Sequence, residues 1–222
     1  MKMTKQSFQF ALVGSPGRGK TMSFRNMDPE VTGFINAENK PLPFINKFKH
    51  YSAPNNWQEC YQKLIEYAKD DTIDVVVLDS ISAYFDSLLK TAHDTKRGFD
   101  IWNYFNEEVG KLMYIVKNYP KYLVVSAHYE WIETENGAEE KRIMVPGGRW
   151  KGKIEKDFTV VAYTDLMMVD DKRNYIVELN SNGKTSAKTP PMFLADPEDL
   201  GIEQIPNDFQ FFIERVDKVL NN

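Results

Sequence analysis

Cysteine is almost absent. The single thiol, Cys60, excludes an internal disulfide framework and a zinc site built on cysteines. It falls in a helix-like stretch and reads as an ordinary half-buried residue. Long apolar runs are missing too, so no segment has membrane-spanning length. The polar start, residues 1–6, leads into a strand-like segment without the pattern of a secretory signal. The expected location is the cytosol, with no membrane partner. Positive charge is not in excess: 28 Lys and Arg face 32 Asp and Glu, a net charge of −4. That excludes a globally basic nucleic-acid binder but leaves room for a local basic patch. Repeats, low-complexity tracts and long linkers are also lacking. What is present is a chain of 222 residues, 42% hydrophobic. That is enough for a single α/β domain over residues 1–222 with a sizeable core.

Strand-like and helix-like segments alternate along it. Residues 8–13 and 31–36 read as strands. Asn55 and Asn56 cap a helix over residues 57–69, where Trp57, Tyr61, Leu64, Ile65 and Ala68 recur at helical spacing. Residues 73–78 form a nearly continuous β-branched run, the pattern of a central parallel strand covered on both faces. Helices are expected over about 82–91 and 100–118, split by a polar loop at 93–98, and a buried strand over 122–126. This alternation predicts a doubly wound, mostly parallel sheet. After residue 126 the pattern changes. Segments 131–134 and 141–145 flank Glu135-Asn136-Gly137, a hairpin signal. Segments 158–169 and 175–179, joined by a turn at 170–173, predict antiparallel strands at the sheet edge. A C-terminal helix at about 207–220, capped by Asn207-Asp208, sets Phe212, Ile213, Val216 and Leu220 on one face, to pack on the core.

Residues 14–21 read Gly14-Ser15-Pro16-Gly17-Arg18-Gly19-Lys20-Thr21, the G-x-x-x-x-G-K-T pattern of a phosphate-cradling P-loop. The loop follows a strand and leads into a helix-compatible stretch over residues 20–26, in which Met22 comes next. Glycines let several backbone N–H groups converge on one anion. Lys20 adds a point charge at the β- and γ-phosphates, Thr21 offers a hydroxyl to Mg²⁺, and a following helix presents its positive end. Residues 14–22 are therefore the expected nucleotide site, with ATP and Mg²⁺ as cofactors. Arg18 is expected to face solvent or a neighbour. The run Asp74-Val75-Val76-Val77-Leu78-Asp79 ends in a carboxylate at the strand's carboxyl end, where ligands bind in such sheets. That makes Asp79 the expected metal partner of Thr21, with Ser80 beside it able to reach a metal-bound water. Glu38, after the second strand, projects from the same edge within reach of a γ-phosphate. A solvent-exposed loop glutamate is the competing reading.

Residues 141–156 concentrate six basic side chains, Lys141, Arg142, Arg149, Lys151, Lys153 and Lys156, against one acid, Glu155. Trp150 lies among them and Trp131 precedes them. Basic residues interleaved with aromatics suit a single strand of nucleic acid, with lysines on phosphates and indoles on bases. The competing reading is a solvated basic face with Trp150 packed in the core.

Phe34-Ile35-Asn36-Ala37-Glu38-Asn39 resembles the F-I-D-A-E-H segment of RecA recombinases. Val77-Leu78-Asp79-Ser80 is similar to their V-[IV]-D-S metal-binding strand, and Gly147-Gly148, before a basic helix-like segment, to the T-G-G after their second DNA-binding loop. The chain looks closer still to small phage-encoded RecA-like ATPases, some of which anneal single strands. It shares with them Gly147-Gly148-Arg149-Trp150-Lys151-Gly152-Lys153-Ile154, Lys188-Thr189-Pro190 and Ile205-Pro206-Asn207-Asp208. The resemblance implies a RecA-like P-loop NTPase core that hydrolyses ATP. It makes Glu38 the general base and places Ser126 and His128 where RecA senses the γ-phosphate, His128 being the candidate sensor. Lys184 and Lys188 stand as candidates for trans-acting lysines from a neighbouring subunit. The basic segment with Arg142, Arg149, Trp150, Lys151, Lys153 and Lys156 becomes the single-stranded DNA contact, for annealing or recombination. Implied partners are single-stranded DNA, further copies of the chain and a single-stranded DNA-binding protein, in the host cytoplasm if the chain is phage-encoded. One departure counts against a RecA filament: the P-loop begins at residue 14, with no counterpart of the N-terminal polymerisation domain before it.

Three other readings remain. A helicase-loader-like ATPase would turn the basic segment toward protein. A nucleotide-gated binding module would lack turnover. A small-molecule kinase would need an Arg-rich lid, and Arg142, Arg149 and Arg173 are too scattered to form one.

Overall fold

The computed structural model describes residues 7–134, 136–196 and 201–221. Glu135 of the hairpin turn lies outside them. The strands are β1 (Gln9–Val13), β2 (Thr32–Asn36), β3 (His50–Ser52), β4 (Val75–Asp79), β5 (Tyr122–Ala127), β6 (Tyr129–Glu133), β7 (Glu139–Ile143), β8 (Val160–Val169), β9 (Lys172–Glu178) and β10 (Gln204–Pro206). The helices are α1 (Trp57–Lys69), α2 (Ile81–Thr95), α3 (Asp100–Lys117) and α4 (Phe209–Asn221). Eight strands form one sheet in the order β10-β9-β8-β1-β5-β4-β2-β3. From β8 to β3 the pairs are parallel, and β9 and β10 close the far edge antiparallel.

Strand alternation divides the core into two layers. Ala11, Val13, Ile35, Val76, Leu78, Leu123 and Val125 face α1, α2 and α3. Phe10, Leu12, Phe34, Val75, Val77, Tyr122 and Val124 face the other way, toward α4. Helices cover both faces, so the central strands are buried on each side, as their apolar runs require. This is the doubly wound, mostly parallel sheet that the alternation predicts.

Capping is local chemistry. The Asn56 side chain accepts from the Glu59 N–H at 2.9 Å and starts α1 where expected. Ser80 does the same for α2 through the Ala83 N–H at 3.3 Å. The β8–β9 turn is built on Asp170 and Asp171, with φ of 48° and 57°. A two-residue turn with both φ positive matches the twist of the strands it joins.

Four expectations are corrected. The helix after the P-loop is one 3-10 turn, Thr21–Phe24. Asp28-Pro29 closes behind it, and proline both lacks an N–H and disfavours helical geometry in the residue before it. Helix α2 runs on to Thr95, through the stretch read as the start of a loop, with its Thr91 and Thr95 hydroxyls on the Ser87 and Thr91 carbonyls. The second hairpin strand sits two residues earlier than the pattern placed it, paired Trp131 to Lys141 in a separate two-stranded sheet. The segment after Gly147-Gly148 is helical only over a 3-10 turn, Ile154–Asp157. Among the described residues no helix is long and apolar enough to cross a membrane.

Candidate functional site

Strands β1, β2, β4 and β5 all end at one edge of the sheet, and each delivers a polar group there. Beyond β1 the loop turns on Gly17 and Gly19, with φ of +73° and +88°, a region open to glycine without strain. Gly14 is required for space as well: a Cβ there would lie 2.1 Å from the Thr164 hydroxyl. The Lys20 ammonium folds into the loop, donating to the Gly14 carbonyl at 2.8 Å and the Ser15 carbonyl at 3.1 Å. Its pKa is lowered, by burial first, with the charges of Asp79 and Glu38 acting the other way. Arg18 turns outward to Asp165, 3.6 Å away, as expected of a side chain not engaged in the loop.

Asp79 is buried at the end of β4. Its Oδ2 accepts from the Thr21 hydroxyl at 2.8 Å, and its Oδ1 takes the Ser126 hydroxyl. Ser126 therefore orients Asp79 from within the sheet. Burial raises the Asp79 pKa, and the two hydroxyls oppose it. A hydroxyl and a carboxylate held together at the mouth of a P-loop fit a hard cation that takes its other oxygens from phosphate and water. Those two residues, Thr21 and Asp79, are the ones that would hold Mg²⁺. No cluster of three or more His, Cys, Asp or Glu side chains occurs among the described residues.

Glu38 follows β2. Its backbone N–H reaches the Asp79 carbonyl at 3.3 Å. Its Oε1 accepts from the Ser80 hydroxyl at 3.2 Å, and its Oε2 faces the Lys40 ammonium at 3.0 Å. Burial pushes its pKa up, but the bonds from Lys40 and Ser80 hold it below the ordinary 4.5. His128 follows β5. Its Nδ1 stands 3.3 Å from both the Lys20 ammonium and the Gly14 carbonyl, accepting from one or donating to the other according to tautomer. Its pKa is lowered, by burial first and by the Lys20 charge second.

These groups line one cavity of about 500 Å³, within the range of small-molecule sites. Pro16, Gly17, Gly19, Lys20, Thr21, Met22, Glu38, Asp79 and His128 all reach it. Gly14 and Ser15 act through their carbonyls on Lys20. The structure adds Lys40 and Tyr175, which the sequence pattern did not single out. A third addition is Asn207, ahead of α4. Its amide donates to the Gly19 carbonyl at 3.0 Å and takes the Ser23 hydroxyl, while Arg25 returns a bond to its carbonyl at 2.6 Å. A Cβ on Gly19 would meet that amide at 2.4 Å. Lys40 sits two residues from Glu38 and was within reach of a sequence argument. Tyr175 and Asn207 arrive by long-range folding: the sequence marks Asn207 as a helix cap, and no local pattern places either residue at the loop.

The basic segment stands apart from this cavity. Arg149, Lys151, Lys153 and Lys156 are exposed. Lys151 pairs with Glu130 at 2.7 Å and Arg142 with Glu140 at 2.7 Å, so the hairpin supplies counter-charges that a count over 141–156 omits. Glu155 is turned inward, where it accepts the Ile143 N–H at 2.6 Å. Trp150 is half-buried against α3, with its indole N–H on the Asn106 carbonyl at 3.2 Å. The exposed indole is that of Trp131, 47% accessible, with the Lys141 ammonium 5.4 Å from its ring centre. Lys184 and Lys188 lie on the segment after β9, joined by backbone bonds to Lys141 and Val161, and neither lines the cavity of its own chain.

The chain belongs to the AAA domain family, whose model matches residues 6–190. A KaiC-like protein from the hyperthermophilic archaeon Pyrococcus horikoshii OT3 is similar in structure, with a TM-score of 0.50 at 14% identity, over 90% of this chain and 84% of that one. The RadB recombinase matches with a TM-score of 0.43 at 12% identity, over 77% of this chain and 79% of that one. No curated protein gives a significant match. The fold is that of the RecA-like P-loop NTPases.

Proposed function

We propose that the chain is a Mg²⁺-dependent ATPase that couples its nucleotide state to single-stranded DNA, for annealing or recombination, in the cytoplasm of a phage-infected host. The observation that carries the coupling is the position of His128. Its ring touches Lys20 and the P-loop, while its carbonyl accepts the Met144 N–H at 2.9 Å at the root of the β6–β7 hairpin. One residue thus joins the phosphate end of the cavity to the element that carries Trp131 and Lys141.

Each group has a role in this reading. The P-loop amides and Lys20 bind the phosphates. Glu38, ionised at neutral pH, orients and deprotonates the attacking water. Thr21 and Asp79 would hold Mg²⁺, which would supply positive charge to the phosphates. Lys184 and Lys188 complete the site of a neighbouring copy in a homo-oligomer. Arg149, Lys151, Lys153 and Lys156 follow the DNA phosphates, and Trp131 takes the stacking role in place of the seated Trp150. A single-stranded DNA-binding protein is a further partner.

The test is ATP turnover with and without single-stranded oligonucleotide, across a salt series. Stimulation that fades as salt rises is expected. Lys151→Ala/Lys153→Ala should flatten the logarithmic salt slope of DNA binding by about 1.4, at about 0.7 per lost phosphate contact. No change in turnover and no mobility shift with any oligonucleotide would sink the DNA reading. The ion pairs of Lys151 and Arg142 favour a second reading, in which the hairpin docks a protein partner as a helicase loader does. Retained partner capture without DNA affinity would support it.

His128 gives a pH prediction. Its pKa lies below 6.5 in the free protein, so the ring is neutral at pH 7. A phosphate beside it favours the imidazolium, and binding then takes up a proton. Affinity should therefore strengthen as pH falls from 7 through the free-state value. Calorimetry in buffers of different ionisation heat should show a proton uptake that His128→Gln lacks. Equal uptake in the two proteins would remove His128 from the phosphate.

A further inference from the structure

We propose that Lys40 is a gate on Glu38, pairing with the carboxylate until a γ-phosphate draws its ammonium away. The inference rests on the reading that ATP phosphates occupy the P-loop cavity. Both Glu38 oxygens are engaged, Oε1 by the Ser80 hydroxyl and Oε2 by Lys40. Each oxygen keeps a further lone-pair site, but while the Lys40 charge is paired with the carboxylate its basicity toward an incoming water is reduced.

The two bonds differ in kind. Ser80 is buried and fixed at the start of α2. Lys40 is held only by its backbone. Asn39, with φ of 53°, folds the chain back so that Lys40 overlies Glu38. The Asn36 amide clamps the Lys40 carbonyl at 2.7 Å and is itself 2.9 Å from the Tyr51 hydroxyl. Past that anchor the Lys40 side chain is 75% exposed, against 24% for Glu38. An ion pair so open to water is weak and readily exchanged.

A better partner would arrive with the nucleotide. Lys40 and Glu38 line the same cavity as Lys20 and Thr21. The Lys40 charge is felt at the phosphate end: after burial, it is among the smaller influences that lower the pKa of Lys20 and of His128. A terminal phosphate carries more negative charge than one carboxylate and offers several oxygens to a flexible ammonium. When Lys40 turns to it, Oε2 is left to accept from the attacking water, while Ser80 keeps the carboxylate aimed. Hydrolytic readiness would then depend on the presence of a third phosphate, which ADP lacks.

The experiment measures binding of a non-hydrolysable ATP analogue and of ADP to four proteins: the wild type, Lys40→Met, Glu38→Gln and the double variant. Lys40→Met should weaken the analogue about tenfold, the order expected for losing one charge-assisted bond, and leave ADP unchanged. Glu38→Gln releases Lys40, so it should tighten the analogue more when Lys40 is present than in the Lys40→Met background. Lys40→Arg should restore most of the analogue affinity. Additive effects of the two substitutions, or equal losses for ADP and analogue, overturn the gate. Unchanged turnover in Glu38→Gln would instead overturn the base role and leave the coupling to be judged on affinity alone. Failure of the wild type to bind either nucleotide would overturn the cavity reading and the gate with it.

Discussion

Glu38→Gln should lower ATP turnover by about 10²–10⁴-fold, the usual contribution of a positioned general base. The amide is nearly isosteric, keeps an acceptor for the Ser80 hydroxyl and keeps the side chain at the carboxyl edge of β2. It cannot take a proton. Nucleotide should still bind, at least as tightly as in the wild type, because a negative charge beside the γ-phosphate has been removed. The loss should thus lie in kcat and not in affinity, the signature of an interaction made in the transition state. The pKa of Glu38 adds a sign. Burial alone would raise it, but Lys40 and Ser80 hold it below 4.5, so the base is ionised throughout the neutral range. In the free protein, therefore, no fall in kcat/KM from Glu38 protonation is expected across the neutral range. Single-turnover kinetics would separate chemistry from product release. A chemical step slowed less than about threefold would remove Glu38 from the mechanism.

Phe10→Ala should destabilise the fold by about 3–5 kcal/mol, the range for deleting a fully buried phenylalanine. Phe10, the second residue of β1, is inaccessible to solvent. Its ring meets Tyr122 edge-on at 5.9 Å, Phe209 at 5.7 Å and Phe212 at 6.0 Å. Edge-to-face pairs add to what the buried area gives. Two of those partners belong to α4, so the substitution opens a cavity between the sheet and that helix. Against a typical total of about 5–15 kcal/mol, the loss consumes a large part of the margin. Urea unfolding would show it as a lower midpoint with an unchanged slope. A shift below about 1 kcal/mol would mean that α4 closes into the gap. Nucleotide should recover part of the loss by binding the folded state alone.

Much of this molecule is written locally. The P-loop pattern at residues 14–21, the apolar run ending in Asp79 and the Asn56 cap each follow from neighbouring residues, and each stands where those residues put it. Glu38 needed more, because an acidic residue after a strand is common, and a resemblance supplied what spacing did not. The features that escaped have a common physical origin. Trp150 is an aromatic among lysines in sequence, yet its indole N–H finds the Asn106 carbonyl on α3. Lys151 and Arg142 look like free charge until the Glu130 and Glu140 side chains are beside them. Windowed counts see composition, whereas pairing is set by which strands the chain returns to. The turn after the P-loop is another case: residues 20–26 are helix-compatible, yet only a 3-10 turn, Thr21–Phe24, forms there.

Asn207 stands 188 residues beyond the glycine whose carbonyl it holds, and outside the stretch that defines the family, which ends at residue 190. Its clasp ties the glycine loop to the turn that leads into α4. Linkage is reciprocal: whatever free energy the clasp lends to phosphate binding, a bound phosphate returns to the seating of α4. The chain's final helix is therefore a reporter of what its first loop is holding.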